Sequence, residues 1–102
     1  MNKQDLQNKA GEVWDVLFSH LFWYVKDHNN RVELDGYYYG QDLSFGRSSN
    51  LYDFKYLYVN DMDELILHYT MVDIKGKTTE HDISQGMFTL DDLSLIINKI
   101  KE

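Results

Sequence analysis

A chain of 102 residues that is 43% hydrophobic and 15% aromatic carries enough apolar surface for one core and is not a disordered segment. Seventeen acidic against ten basic residues leave a formal charge of −7, the wrong sign for gripping a phosphate backbone, so direct nucleic-acid binding is not expected. The lack of cysteine excludes disulfides, thiolate nucleophiles and thiolate zinc sites.

With no proline, no repeat and no low-complexity stretch to mark a boundary, residues 1–102 read as a single α+β domain. Leu6, Ala10, Val13, Trp14, Leu17, Phe18, Leu21 and Val25 recur at spacings of three and four, which predicts an amphipathic helix from Lys3 to Asp27. Asn2 suits its N-cap, and His28, Asn29 and Asn30 suit its exit.

From Arg31 the period falls to about two, and an antiparallel β meander of five or six strands is expected. Val32 to Leu34, then Asp35-Gly36, then Tyr37 to Tyr39 fits a two-residue hairpin, with a single bulged strand as the rival. Gly40-Gln41-Asp42 reads as another turn, leading to a short strand from Leu43 to Arg47. Leu51 to Asn60 alternates with Tyr52, Phe54, Tyr56 and Tyr58 on one side. The chain then turns at Asp61-Met62-Asp63 and returns over Glu64 to Ile74. Lys75-Gly76 closes a hairpin onto Lys77 to Ile83. Thr89 and Asp92 form a capping box, and Leu90, Leu93, Ile96, Ile97 and Ile100 make the inward stripe of a short C-terminal helix.

A sheet covered on one face alternates apolar and polar residues. The strand from Glu64 to Ile74 is apolar on both, with Leu65, Leu67, Tyr69 and Met71 against Ile66, Val72 and Ile74. Either the helices cover opposite faces, or both lie on one and a partner, including a second copy of the chain, covers the other.

Motifs for chemistry are sparse. Asp61, Asp63 and Glu64 resemble a cation loop, but Leu65 and Ile66 stand where an EF-hand needs an oxygen ligand and a glycine, so they read as an acidic hairpin tip. No two of His20, His28, His68 and His81 have helical zinc spacing, and no serine sits in a nucleophile elbow. His68 beside Asp82 of the next strand could make an oriented base, with a hydrogen-bonded structural pair as the plainer reading. No metal or cofactor is called for, and the chain does not read as an enzyme. The start lacks the apolar run of a signal peptide and no membrane span is present, which predicts a cytoplasmic protein.

What remains is tyrosine and acid. The expected function is a small acidic protein-binding module, an inhibitor, immunity or anti-defence type factor of the kind phages encode. It would dock a basic protein through Tyr52, Asp53, Tyr56, Tyr58, Asp61, Asp63 and Glu64, including by mimicking nucleic-acid phosphates. The alternatives are a ligand-binding or hydrolytic domain with a pocket lined by Trp14, Phe18, Tyr69 and His68, and a homodimeric structural component.

Overall fold

The computed structural model describes residues 3–101, and their side chains from residue 11 onward. Helix α1 (Lys3–Asp27) leads into strands β1 (Arg31–Tyr39), β2 (Leu51–Val59), β3 (Leu65–Val72) and β4 (Thr78–Ser84), and α2 (Leu90–Lys101) closes the chain. The strands form one antiparallel sheet in the order β1-β2-β3-β4. The expected α+β meander is present with four strands in place of five or six. The Asn2 cap lies outside the described residues.

Local chemistry explains most boundaries. α1 ends where Asn29 and Asn30 take positive φ angles of 61° and 64°, with the N–H groups of His28 and Asn30 both donating to the Val25 carbonyl. The β2–β3 turn is organised by Asn60, whose Oδ1 accepts the N–H groups of Met62 and Glu64 at 3.0 and 2.9 Å. Asp73 does the same for Lys75 and Lys77 in the β3–β4 turn, where Gly76 supplies φ of 83°. The capping box at α2 forms in both directions: Thr89 N–H donates to Asp92, and Asp92 N–H donates to the Thr89 hydroxyl.

Two expected strands are lost for identifiable reasons. Asp35-Gly36 does not reverse the chain: Asp35 takes φ of 49° inside a continuous β1, because Tyr37 to Tyr39 pair with the same neighbour, β2, as Arg31 to Glu33 do. The left-handed residue is spent on a bulge, and the rival reading is the correct one. Leu43 to Arg47 is a loop, entered through a 3₁₀ turn at Gly40–Asp42. There the backbone folds back on itself so tightly that a Cβ on Gly40 would fall 1.7 Å from the Arg47 carbonyl oxygen. The loop's polar groups are met internally and by side chains, with Gly40 N–H on Asn50 O and Arg47 N–H on the Tyr52 hydroxyl.

A second bulge, at Lys55, changes which tyrosines face the core. Phe54 pairs with Tyr69 and Tyr56 with His68, so Lys55 is an extra residue relative to β3. Tyr52 and Phe54 therefore point inward with Leu57 and Val59, while Tyr56 and Tyr58 point outward, correcting the expectation of four aromatics on one side. Between those two rungs β4 and β3 advance one residue, β2 two and β1 three, so the sheet fans open toward β1.

Both helices pack on the inner face. Leu21 and Val25 of α1 and Leu93, Ile96 and Ile97 of α2 join Leu34, Phe54, Leu57, Val59, Leu65, Leu67 and Ile83 in one buried cluster. The Trp14 indole N–H donates to the Phe88 carbonyl at 2.8 Å, tying α1 to the start of α2. Each fully buried Leu, Ile or Phe here contributes roughly 1.5–3 kcal/mol. Of the two arrangements the strand pattern allowed, the helices adopt the one that leaves the second sheet face without a helix.

Candidate docking face

The antiparallel register lays four rows across the outer face: Arg31-Tyr58-Ile66-Ser84, Glu33-Tyr56-His68-Asp82, Tyr37-Asp53-Thr70-Glu80 and Tyr39-Leu51-Val72-Thr78. Tyr37 and Tyr39 are the most exposed of its tyrosines, at 68% and 60%. Each row carries at least one aromatic or aliphatic residue among polar ones, which is unlike the uniformly polar outside of a sheet that meets only water.

The second row is a chain of side-chain contacts. The Arg31 guanidinium lies 3.8 Å from the centre of the Tyr56 ring while its Nε reaches Glu33 Oε1 at 2.7 Å. Tyr56 in turn stacks on His68, with centroids 4.9 Å apart and planes inclined by 24°. His68 Nδ1 meets Asp82 Oδ1 at 2.7 Å, and its Nε2 lies 3.7 Å from Glu80. Positive, aromatic, imidazole and carboxylate groups thus alternate across all four strands. Burial, then Asp82 and Tyr56, pushes the Tyr58 phenol above its ordinary value. Lys55 is also raised, but by its hydrogen bond to the Asp53 carboxylate at 2.5 Å and the attraction of that charge, against a lowering by desolvation.

The predicted site residues separate into three places. Asp53, Tyr56 and Tyr58 share the outer face, with Asp53 buried and ion-paired to Lys55. Asp61 and Asp63 are exposed on the β2–β3 turn, Asp63 bonded to Lys26 of α1 at 3.2 Å, and half-buried Glu64 stands beside Asn60. Tyr52 belongs to the opposite face and is 2% exposed, so it cannot join the others. Of the residues that complete the surface, Tyr37 and Tyr39 belong to the tyrosine-rich signal that the sequence offered for an interface, whereas Arg31, Glu33, Glu80 and Asp82 carried no sequence signal for docking.

The anticipated pocket of Trp14, Phe18, Tyr69 and His68 does not form. His68 faces outward and Tyr69 inward, and Trp14 stacks on Phe18 at 5.1 Å along α1. Among the described residues no three His, Asp or Glu side chains are placed to hold a metal ion, and no helix is long and apolar enough to cross a membrane. Compared with protein-family profiles, with curated proteins and with solved structures, the chain matches none of them.

Proposed function

We propose that the chain is a small acidic protein-binding module that docks a basic protein partner with the outer face of its sheet, acting by binding and not by catalysis. The observation that carries this reading is the helix-free face with Tyr37, Tyr39, Tyr56 and Tyr58 set among carboxylates. Tyrosine offers a large contact area at low entropic cost and keeps a hydroxyl for a partner's polar groups. Among the described residues the two cations of the face, Arg31 and Lys55, are paired with Glu33 and Asp53, so Glu80, Asp82 and the nearby Asp61 set its sign. Carboxylates carried on a rigid sheet suit a cationic groove, including one that otherwise holds nucleic-acid phosphates, which fits an inhibitor, immunity or anti-defence role.

The test is affinity capture from the source organism with the wild-type chain, a Tyr37→Ser/Tyr39→Ser variant and a Glu80→Gln/Asp82→Asn variant. A basic protein retained by the wild type, lost from the tyrosine variant and released by moderate salt is the expected result. Equal retention by all three chains, or retention indifferent to salt, refutes the reading. A second reading, a homodimeric structural component, draws on Val13, Val16 and Trp23, which are exposed along α1. A solution mass of one chain at micromolar concentration removes it.

A further inference from the structure

On the inner face, the Leu43–Asn50 loop, strands β2 to β4 and the β3–β4 turn enclose a cleft of about 530 Å³. That volume is within the range of small-molecule sites, roughly 300–1,000 Å³. One wall is aromatic. Tyr69 stacks on His81 at 5.5 Å and 22°, and meets Phe45 at 5.4 Å and Tyr52 at 5.6 Å. The wall is fixed in place before anything binds: the Tyr52 hydroxyl accepts Arg47 N–H at 3.1 Å, and Asn50 Nδ2 lies 3.2 Å from Met71 Sδ.

The rest of the lining has the opposite sign to the chain as a whole. Arg47 and Lys75 both border the cleft, and among the described residues neither has a carboxylate within ion-pair distance. The carboxylate that does line the cleft, Asp73, has its Oδ1 engaged by the N–H groups of Lys75 and Lys77. An aromatic wall beside two unpaired cations is the arrangement that holds a flat ring bearing a negative group, with the guanidinium able to take two of its oxygens at once.

We infer that this cleft binds a small planar aromatic anion: the ring lies against Phe45, Tyr69 and His81, and a phosphate or carboxylate is held by Arg47 and Lys75. The site is on the opposite face from the docking rows and stands or falls independently of them.

The experiment is NMR of the full chain labelled at its methionine methyls, titrated with adenosine monophosphate, benzoate, adenosine and inorganic phosphate. The Met71 methyl, in the cleft lining, is expected to shift saturably with a Kd of ~0.1–1 mM, while the exposed methyls of Met62 and Met87 stay fixed. Saturation by adenosine monophosphate assigns a phosphate, and by benzoate alone a carboxylate. Arg47→Gln should weaken binding about tenfold and Lys101→Gln should not, since the Arg47 side chain is exposed and only its backbone serves the loop. The inference is overturned if neither anion moves Met71 at millimolar concentration, or if adenosine binds as tightly as its monophosphate and Arg47→Gln leaves affinity unchanged.

Discussion

The carboxylate of Asp92 accepts both the backbone N–H and the hydroxyl of Ser44, at 3.1 and 2.5 Å, and so fastens the Leu43–Asn50 loop to the first turn of α2. The same group, 1% exposed, also takes the Thr89 N–H. Asp92→Ala would strand three donors, two of them in a loop with no ladder to fall back on. The expected cost is about 2–4 kcal/mol, a drop in melting temperature of roughly 10–20 °C. Ser44→Ala, which removes one donor and leaves the other two served, should cost about 1 kcal/mol. Equal melting temperatures for the two variants would mean that the loop is held elsewhere.

The bulge at Lys55 makes neighbouring aromatics unequal. Phe54→Ala should destabilise by about 3–5 kcal/mol, since Phe54 is wholly buried. Tyr56→Ser, which gives up its contacts with Arg31 and His68 on the outer face, should cost about 1 kcal/mol. Urea unfolding of the two variants measures the difference directly, and a costlier Tyr56→Ser would mean that the bulge is misplaced.

Two glycines should respond in opposite directions to alanine. Gly11 lies in α1 with nothing within 4 Å of an added Cβ, so Gly11→Ala should stabilise by about 0.5–1 kcal/mol. Gly40→Ala would drive a methyl into the Arg47 carbonyl, at a cost of about 3 kcal/mol or more. Differential scanning calorimetry of both chains reads the sign.

Alkali should unfold the protein through its tyrosines. Burial, reinforced by Tyr52 and Asp82, raises Tyr69 above its ordinary value, and burial raises Tyr58 likewise. The folded state then holds these protons more tightly than the unfolded chain, whose tyrosines titrate near pH about 10. Their stabilisation is complete below that pH and is lost as pH rises through the raised values. Lys55, raised by Asp53, acts in the same direction. Urea midpoints should fall in that window, and Tyr69→Phe should flatten the fall.

Features written in short-range chemistry were legible in the sequence. α1 runs from Lys3 to Asp27 as its apolar spacing requires, and the Thr89 and Asp92 box sits three residues apart in the chain, so no tertiary knowledge was needed. The nearness of His68 and Asp82 followed from a hairpin with one tight turn. What failed depended on register. Asp35-Gly36 and Gly40-Gln41-Asp42 satisfy turn chemistry whether or not a strand follows, and only pairing with β2 decides. Tyr52 looked equivalent to Tyr56 until one extra residue between them exchanged their faces. Arg31 and Glu33 entered the docking surface for the same reason: the strand that places them beside Tyr56 is set by long-range pairing.

The fan across the sheet also makes its two edges different. A strand arriving alongside β1 would meet a kinked line of hydrogen-bonding groups that no straight chain can follow. β4 offers no such obstacle, since its ladder with β3 is unbroken from Ser84 to Thr78. A second copy pairing there would bring Glu80 and Asp82 against their own copies, and like charges oppose that pairing. One edge is closed by shape and the other by charge, and only charge can be switched off. Acid or concentrated salt is therefore the route by which this sheet would grow into a neighbour and begin to aggregate, and the growth would start at β4.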